Sequence, residues 1–171
     1  MVWWFISVVI LLIFLVSFTY AGLKGAPWVP TWGRDIERLG KLLELKPGQT
    51  FCELGCGDGR VTVAMSKQFE VKGIGVELSL AQYLAARIRK ALAKSKKTTF
   101  LWKDAFKVDL KDVDALYLFL MPETYEKIRG KLEKELKPGT KVVTYVWAMP
   151  GWEVEKMDKQ SGAPMLYLYT R

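Results

Sequence analysis

The sequence predicts an α/β fold: a mostly parallel sheet with helices on both faces, closed by a terminal β-hairpin and preceded by one N-terminal transmembrane helix. Three observations carry that expectation. From residue 50 onward, short apolar runs alternate with longer amphipathic ones, as in strand–helix–strand units. The first of these runs passes directly into a loop with glycines at 55, 57 and 59. Residues 1–23, finally, hold no charged side chain.

That N-terminal run is about twenty residues long, enough for a helix to cross a hydrocarbon core. Trp3 and Trp4 at one end and Tyr20 at the other suit the two membrane interfaces. A cleaved signal peptide fits less well, because no basic side chain precedes the run and no small-residue cleavage pattern follows it. Lys24, Arg34, Arg38 and Lys41 follow the span, and only the α-amino group precedes it. The rest of the chain is therefore expected on the cytoplasmic (or matrix-equivalent) side, in a single-pass arrangement. The expected division is an anchor over 1–23, a linker or lid over 24–33 and a folded domain over 34–171. Residues 25–33 carry two prolines, two glycines and two tryptophans. They read either as a spacer with aromatics at the headgroups or as a cover over a site.

Residues 34–45 read as a helix with Ile36, Leu39, Leu42 and Leu43 on one face. Pro47-Gly48 stops it, and a strand over 50–54 follows. The next helix, from about Arg60, shows Val61, Ala64, Met65 and Phe69 to the sheet. Further strands are expected at 72–78, 98–103, 115–120 and 141–147, the run at 115–120 being apolar throughout, as a central parallel strand should be. Ser79 is placed to N-cap a helix with an apolar stripe of Leu80, Tyr83, Leu84, Ile88, Ala91 and Leu92. Pro122 fits the first turn of a helix running to residue 136, which Pro138-Gly139 stops. Too few residues then separate the strand at 141–147 from the next extended stretch for a parallel crossover. The last two strands, near 153–157 and 165–170, are thus expected as an antiparallel hairpin on one sheet edge, with no final helix.

The glycine loop and three acids define a site. A strand, a tight glycine loop and a helix N-terminus bring backbone N–H groups close to a polar ligand. Here the spacing is G-x-G-x-G over Gly55, Gly57 and Gly59, with Glu53 two residues before the first glycine. The dinucleotide fingerprint differs, having G-x-G-x-x-G and no need of that acid. Glu53 could meet a cationic ammonium. Glu77, at the end of the second strand, could accept both hydroxyls of a ribose. Asp104-Ala105, after the third, is placed to hold an adenine edge. An acid for an amino group, one for a ribose and one for an amino-purine suit S-adenosylmethionine better than NAD.

Composition narrows the chemistry. The 171 residues contain no histidine, which excludes histidine-ligated metals and a histidine general base. Cys52 and Cys56 are the only cysteines, and a metal or disulfide reading needs partners the chain lacks, so no metal site is expected. The net charge is +8. Much of the excess sits at 79–97, in Arg87, Arg89, Lys90, Lys94, Lys96 and Lys97. That cluster reads first as a solvated face, then as a contact for anionic headgroups, and third as a nucleic-acid surface.

The segment Glu53-Leu54-Gly55-Cys56-Gly57-Asp58-Gly59-Arg60 resembles the glycine motif of class I S-adenosylmethionine methyltransferases, a likeness extending over residues 50–147. A narrower resemblance covers nearly the whole chain. It rests on the apolar span, Ala26-Pro27-Trp28-Val29-Pro30-Thr31, the glycine motif, Lys103-Asp104-Ala105-Phe106, Leu132-Glu133-Lys134-Glu135-Leu136 and Trp147-Ala148-Met149-Pro150-Gly151-Trp152. These are similar to the small membrane-anchored protein-lysine methyltransferases that modify the ATP synthase c subunit and the adenine nucleotide translocase. The resemblance implies a Rossmann-like methyltransferase sheet, with S-adenosylmethionine bound by Glu53, Gly55, Cys56, Gly57, Gly59, Glu77, Asp104 and Ala105. It implies a lid in which Trp28, Pro30 and Thr31, with Met121 and Pro122, face the substrate. The expected activity is N-methylation of a lysine on a membrane-associated protein. The rival is a class I methyltransferase acting on RNA, a lipid-like molecule or a small molecule.

After the fourth strand, amino-methyltransferases acting on adenine or glutamine often carry an Asn/Asp-Pro-Pro-aromatic motif. Here Phe119-Leu120-Met121-Pro122-Glu123 has no Asn or Asp, which argues against those targets. Glu123 is the nearest acid and the candidate catalytic group. Its other reading is an acid favourably placed at a helix N-terminus.

Overall fold

The computed structural model covers residues 1–171. In chain order it has α1 (Val2–Lys24), α2 (Gly33–Leu43), β1 (Thr50–Leu54), α3 (Arg60–Gln68), β2 (Lys72–Glu77), α4 (Leu80–Leu92) and β3 (Thr98–Trp102). A short 3₁₀ turn (Ala105–Lys107), β4 (Ala115–Leu118), α5 (Pro122–Glu135), β5 (Lys141–Tyr145), β6 (Lys156–Asp158) and β7 (Leu166–Thr170) complete it.

Seven strands form one sheet in the order β3-β2-β1-β4-β5-β7-β6. The first five of that order are parallel, and β7 runs antiparallel between β5 and β6. The terminal hairpin therefore lies on the β5 edge, with its later strand innermost, and no helix intervenes between β5 and β6. β5 ends at Tyr145 because Val146 turns the chain out of the ladder with φ 73°, a conformation β-branched residues rarely adopt.

Alternation along the strands makes two cores. Phe51, Tyr117 and Val143 face Ile36, Leu39 and Leu43 of α2 and Val61 and Met65 of α3. Cys52, Leu116, Leu118 and Val142 face the opposite way, onto Tyr125, Ile128 and Leu132 of α5. α2 is also bound through charge. Asp35 Oδ2 accepts the Tyr145 hydroxyl at 2.6 Å, and its Oδ1 accepts Arg38 Nη1 at 2.9 Å. Arg38 Nη2 reaches Asp158 Oδ1 at 2.9 Å, so the network joins α2 to β5 and to the hairpin.

α4 departs from its expected arrangement. Ala86 alone is buried in it, against Cys56, Val63 and Phe100. The apolar stripe of Leu84, Ile88 and Leu92 faces outward. The cause lies in β2 and the glycine loop, where a Cβ at Gly59 or Gly75 would collide with the Phe100 ring. Phe100 fills that space and α4 closes over it with its small face. Ser79 holds the N-cap position, but its hydroxyl makes no capping bond. The Leu80 N–H instead donates to Ser17 Oγ of α1 at 2.8 Å.

α1 is 23 residues long, has no buried residue, and is the one helix long and apolar enough to cross a membrane. It is not detached from the domain: its last turns rest against α4 and the lid.

Candidate active site

The carboxyl ends of β1, β2 and β4, with the turn after β3, open into one cavity of about 980 Å³ including its mouth. Its wall is made of Glu53, Gly55, Cys56 and Gly57 after β1, of Glu77 and Ser79 after β2, and of Asp104 and Ala105 after β3. Phe119 and Leu120 close the β4 side, while Trp28, Pro30 and Thr31 lie over the top. Phe18, Ala21 and Gly22 of α1 complete it. Three strand ends and the first helix thus converge, as ligands in open α/β sheets require.

The glycine loop needs its glycines for two different reasons. Gly55, Gly57 and Gly59 all have φ between 52° and 78°, where side chains are strained. A Cβ on Gly57 would come within 2.8 Å of the Trp28 indole, so the lid tryptophan lies directly on this residue. Gly59, expected among the cofactor contacts, does not line the cavity. It faces Phe100 and Ala86, where it permits the close packing of α4.

The three acids are held differently. Glu53 follows the inward alternation of β1 beside α3, and its Oε2 accepts both the N–H of Thr62 at 2.9 Å and the Thr62 hydroxyl at 2.5 Å. Burial pushes its carboxyl up to about 8, against the opposing pull of the Thr62 hydrogen bonds. Only Oε2 is engaged. Glu77 Oε2 accepts the Gly57 N–H and its Oε1 the Ser79 N–H, both at 2.8 Å, and burial raises its carboxyl as well. That carboxylate fixes the loop after β1 relative to the loop after β2. Asp104 caps the 3₁₀ turn, its Oδ1 accepting the Phe106 N–H at 3.0 Å.

Asp58, on the cavity rim, is clamped by Arg60 at 2.7 Å and Arg89 at 2.6 Å. Although burial alone would raise it, these guanidinium groups hold its carboxyl below the ordinary range. Cys52 and Cys56 are free thiols buried in the fold, and burial pushes Cys52 up to about 12. Neither is a reactive thiolate. No cluster of three or more potential metal ligands exists.

Ser79 is the residue that the sequence reading missed as a site group. Its Oγ is the one fully buried side-chain polar atom without a hydrogen-bond partner, and the residue lines the cavity. The signal was Ser79's position two residues after Glu77, which equally suited a helix cap. Buried hydroxyls are nearly always paired, and this one has no partner within the fold, so it is free to bond a molecule in the cavity. The remaining features fit S-adenosylmethionine: a cradle with no Cβ atoms at Gly55 and Gly57, carboxylates at two strand ends and at the turn after a third, and an apolar cover.

The expected catalytic acid does not reach this cavity. Glu123 is exposed on the first turn of α5 and is not part of the wall. Pro122 starts α5 immediately after β4, and the first helical turn carries Glu123 outward; its inward neighbour is Thr124, whose Oγ1 donates to Gly25 O at 2.8 Å. Met121 and Pro122 likewise stay out of the wall, and Phe119 and Leu120 take that place. Trp28, Pro30 and Thr31 do line the cavity. Behind Phe119, Tyr145 packs edge-on at 4.6 Å and Trp147 at 6.4 Å, which gives the late tryptophan segment a supporting role.

The sequence matches the family described as the ANTKMT methyltransferase domain over residues 53–156. It is 34% identical to the protein-lysine N-methyltransferase of Saccharolobus islandicus, over 84% of this chain and 92% of that protein. It is 31% identical to the mouse adenine nucleotide translocase lysine N-methyltransferase, over 74% of this chain and 56% of the mouse protein. The chain thus spans nearly all of the archaeal relative but little more than half the length of the mouse one. Among solved structures, an RNA methyltransferase from Salinibacter ruber in complex with S-adenosyl-L-homocysteine superposes with a TM-score of 0.80 at 26% identity, over 83% of this chain and 93% of the other.

Proposed function

Because this chain belongs to the ANTKMT methyltransferase domain family, and the more similar of its relatives include protein-lysine methyltransferases, we propose that it N-methylates a lysine on a membrane-associated protein. It is an S-adenosylmethionine-dependent enzyme. When bound, the cofactor supplies an electrophilic methyl group on a sulfonium. The work left to the protein is to bind it, to align an amine in line with that methyl group, and to keep the amine neutral and dry.

In this reading Glu77, Ser79 and Asp104 hold the nucleoside part, and the free oxygen of Glu53 meets the ammonium. Trp28, Pro30 and Phe119 form an apolar sleeve for the methylene stem of lysine. No histidine is available and Glu123 faces solvent, so deprotonation is driven by the sleeve: burial disfavours the charged ammonium and lowers its pKa. One observation supports a target at the membrane surface above all. The wall that carries Glu77 and Asp104 also carries Phe18, Ala21 and Gly22, the last turns of the apolar α1. With α1 in a bilayer, the cavity opens at headgroup level, on the cytoplasmic or matrix-equivalent side that follows from Lys24, Arg34, Arg38 and Lys41.

The test is methyl transfer from labelled S-adenosylmethionine by the full chain in vesicles containing delipidated membrane proteins, with the label located by mass. Methylated lysine on an integral membrane protein is expected. Label confined to RNA, as the Salinibacter neighbour's activity would suggest, or to lipid, overturns the reading.

A further inference from the structure

α4 carries its large apolar side chains away from the core. Leu84, Ile88 and Leu92 are spaced four apart, so they stand one above another on a single face, opposite the buried Ala86. Their exposure climbs along the helix from 37% to 61% to 80%. Around them the charge is of one sign: no acid lies between Glu77 and Asp104, whereas seven Lys or Arg do. Arg87 and Lys94 are exposed beside the stripe; Arg89 points away from it, into Asp58 at 2.6 Å.

The stripe starts where α1 leaves the domain. Ser17 of α1 accepts the Leu80 N–H at 2.8 Å, so the apolar helix α1 adjoins the head of α4. Beside the junction, Trp102 is 57% exposed and stacks on Tyr83 at 6.4 Å. Its indole N–H donates to Leu78 O at 2.9 Å, which leaves an apolar ring outward with its polar atom satisfied.

We infer that this face of α4 is a second membrane element, lying in the plane of an anionic bilayer surface. Leu84, Ile88 and Leu92 enter the acyl boundary to about 5–10 Å, as interfacial helices do, and Arg87 and Lys94 meet the headgroups. The inference rests on the reading of α1 as a membrane anchor. Lipid is the occupant because the apolar stripe adjoins an apolar span and the exposed charges beside it, Arg87 and Lys94, are basic. Two membrane elements meeting at Leu80 fix the rotation of the domain about the axis of α1, which a single span would leave free. The cavity, walled by Phe18 of α1 and by Ser79 at the head of α4, is then held against the surface.

Environment-sensitive labels on single introduced cysteines test this in the full chain, because Cys52 and Cys56 are buried. The sites are Leu11→Cys on α1, Ile88→Cys on α4 and, as an exposed control on α5, Glu126→Cys. The probes are phosphatidylcholine vesicles with and without phosphatidylserine, a lipid-borne nitroxide quencher and aqueous iodide. Labels at 11 and 88 should be quenched several-fold by the nitroxide and shielded from iodide, the control label the reverse. Omitting phosphatidylserine, or Arg87→Glu with Lys94→Glu, should return the label at 88 to iodide while leaving that at 11 in lipid. A label at 88 open to iodide in phosphatidylserine vesicles, with that at 11 in lipid, overturns the inference and leaves the anchor standing. Both open overturns both. A label at 88 shielded from both quenchers, with cross-linking of two copies there, overturns it in favour of a self-association surface.

Discussion

Thr31 Oγ1 lies 3.1 Å from Tyr117 Oη, and both residues are buried, so the segment after α1 is fastened to β4 in the middle of the sheet. Tyr117→Phe keeps the ring packing and strips Thr31 of its partner. A buried hydroxyl left alone costs about 1–3 kcal/mol. Denaturant unfolding should show a loss of that size, and stopped-flow displacement should show faster cofactor release. Thr31→Val added to Tyr117→Phe should recover much of the stability. Release as slow as in the parent would mean that the latch does not hold the lid.

Ser79→Ala is expected to act differently on the two states. The hydroxyl has no partner within the fold, so its removal should leave stability nearly unchanged. If the cofactor is that partner, the variant loses one hydrogen bond, about 1–1.5 kcal/mol or roughly tenfold in affinity. Calorimetry with S-adenosylhomocysteine checks this, and equal affinity removes Ser79 from the site.

Glu53 sets a pH dependence. Its carboxyl stands near 8 in the fold and near 4.5 when unfolded. Between those values the unfolded chain has released a proton that the folded one keeps, so the contribution of Glu53 to stability is fully present below 4.5 and declines as pH rises toward 8. Binding of a ligand ammonium favours the ionised form, so cofactor affinity should increase from pH 6 to 8 with release of a proton. Glu53→Gln should flatten both profiles. A parent affinity that is flat over this range would show that Glu53 does not meet the ammonium.

The network under α2 predicts a purely structural loss. Arg38→Met leaves the fully buried Asp35 with only the half-exposed Arg34 guanidinium, at 3.9 Å, for a cation, which should cost about 3 kcal/mol. Denaturant unfolding measures it, and cofactor affinity of the folded fraction should be unchanged. A loss below 1 kcal/mol would mean that Tyr145 and Arg34 suffice to hold Asp35.

Strand positions were legible because each parallel strand here is a short apolar run ended by a glycine loop, an acid or a proline. Glu77 and Asp104 were legible for the same reason, being the first acids at the ends of their runs. The hairpin was legible from chain length alone; the innermost place of β7 was not, since both orders satisfy the same alternation. Glu123 misled because proximity in sequence to a strand end does not fix which way a first helical turn points. α4 misled in another way. A 3.6-residue period shows that an apolar face exists, and Leu84, Ile88 and Leu92 make one, but the period is silent on what covers it. Only Phe100 and the glycines beside it decide that the sheet takes Ala86 instead.

Phe18, Ala21 and Gly22 belong at once to the last turns of α1 and to the cavity wall. No hinge separates the two roles. With α1 read as a membrane span, a bilayer thicker or thinner than its apolar length is accommodated by helix tilt, and tilt here shifts Phe18, Ala21 and Gly22 relative to the acids held by the sheet. On that reading hydrophobic thickness is a determinant of turnover, so the protein placed in vesicles of different lipid length should turn over at different rates.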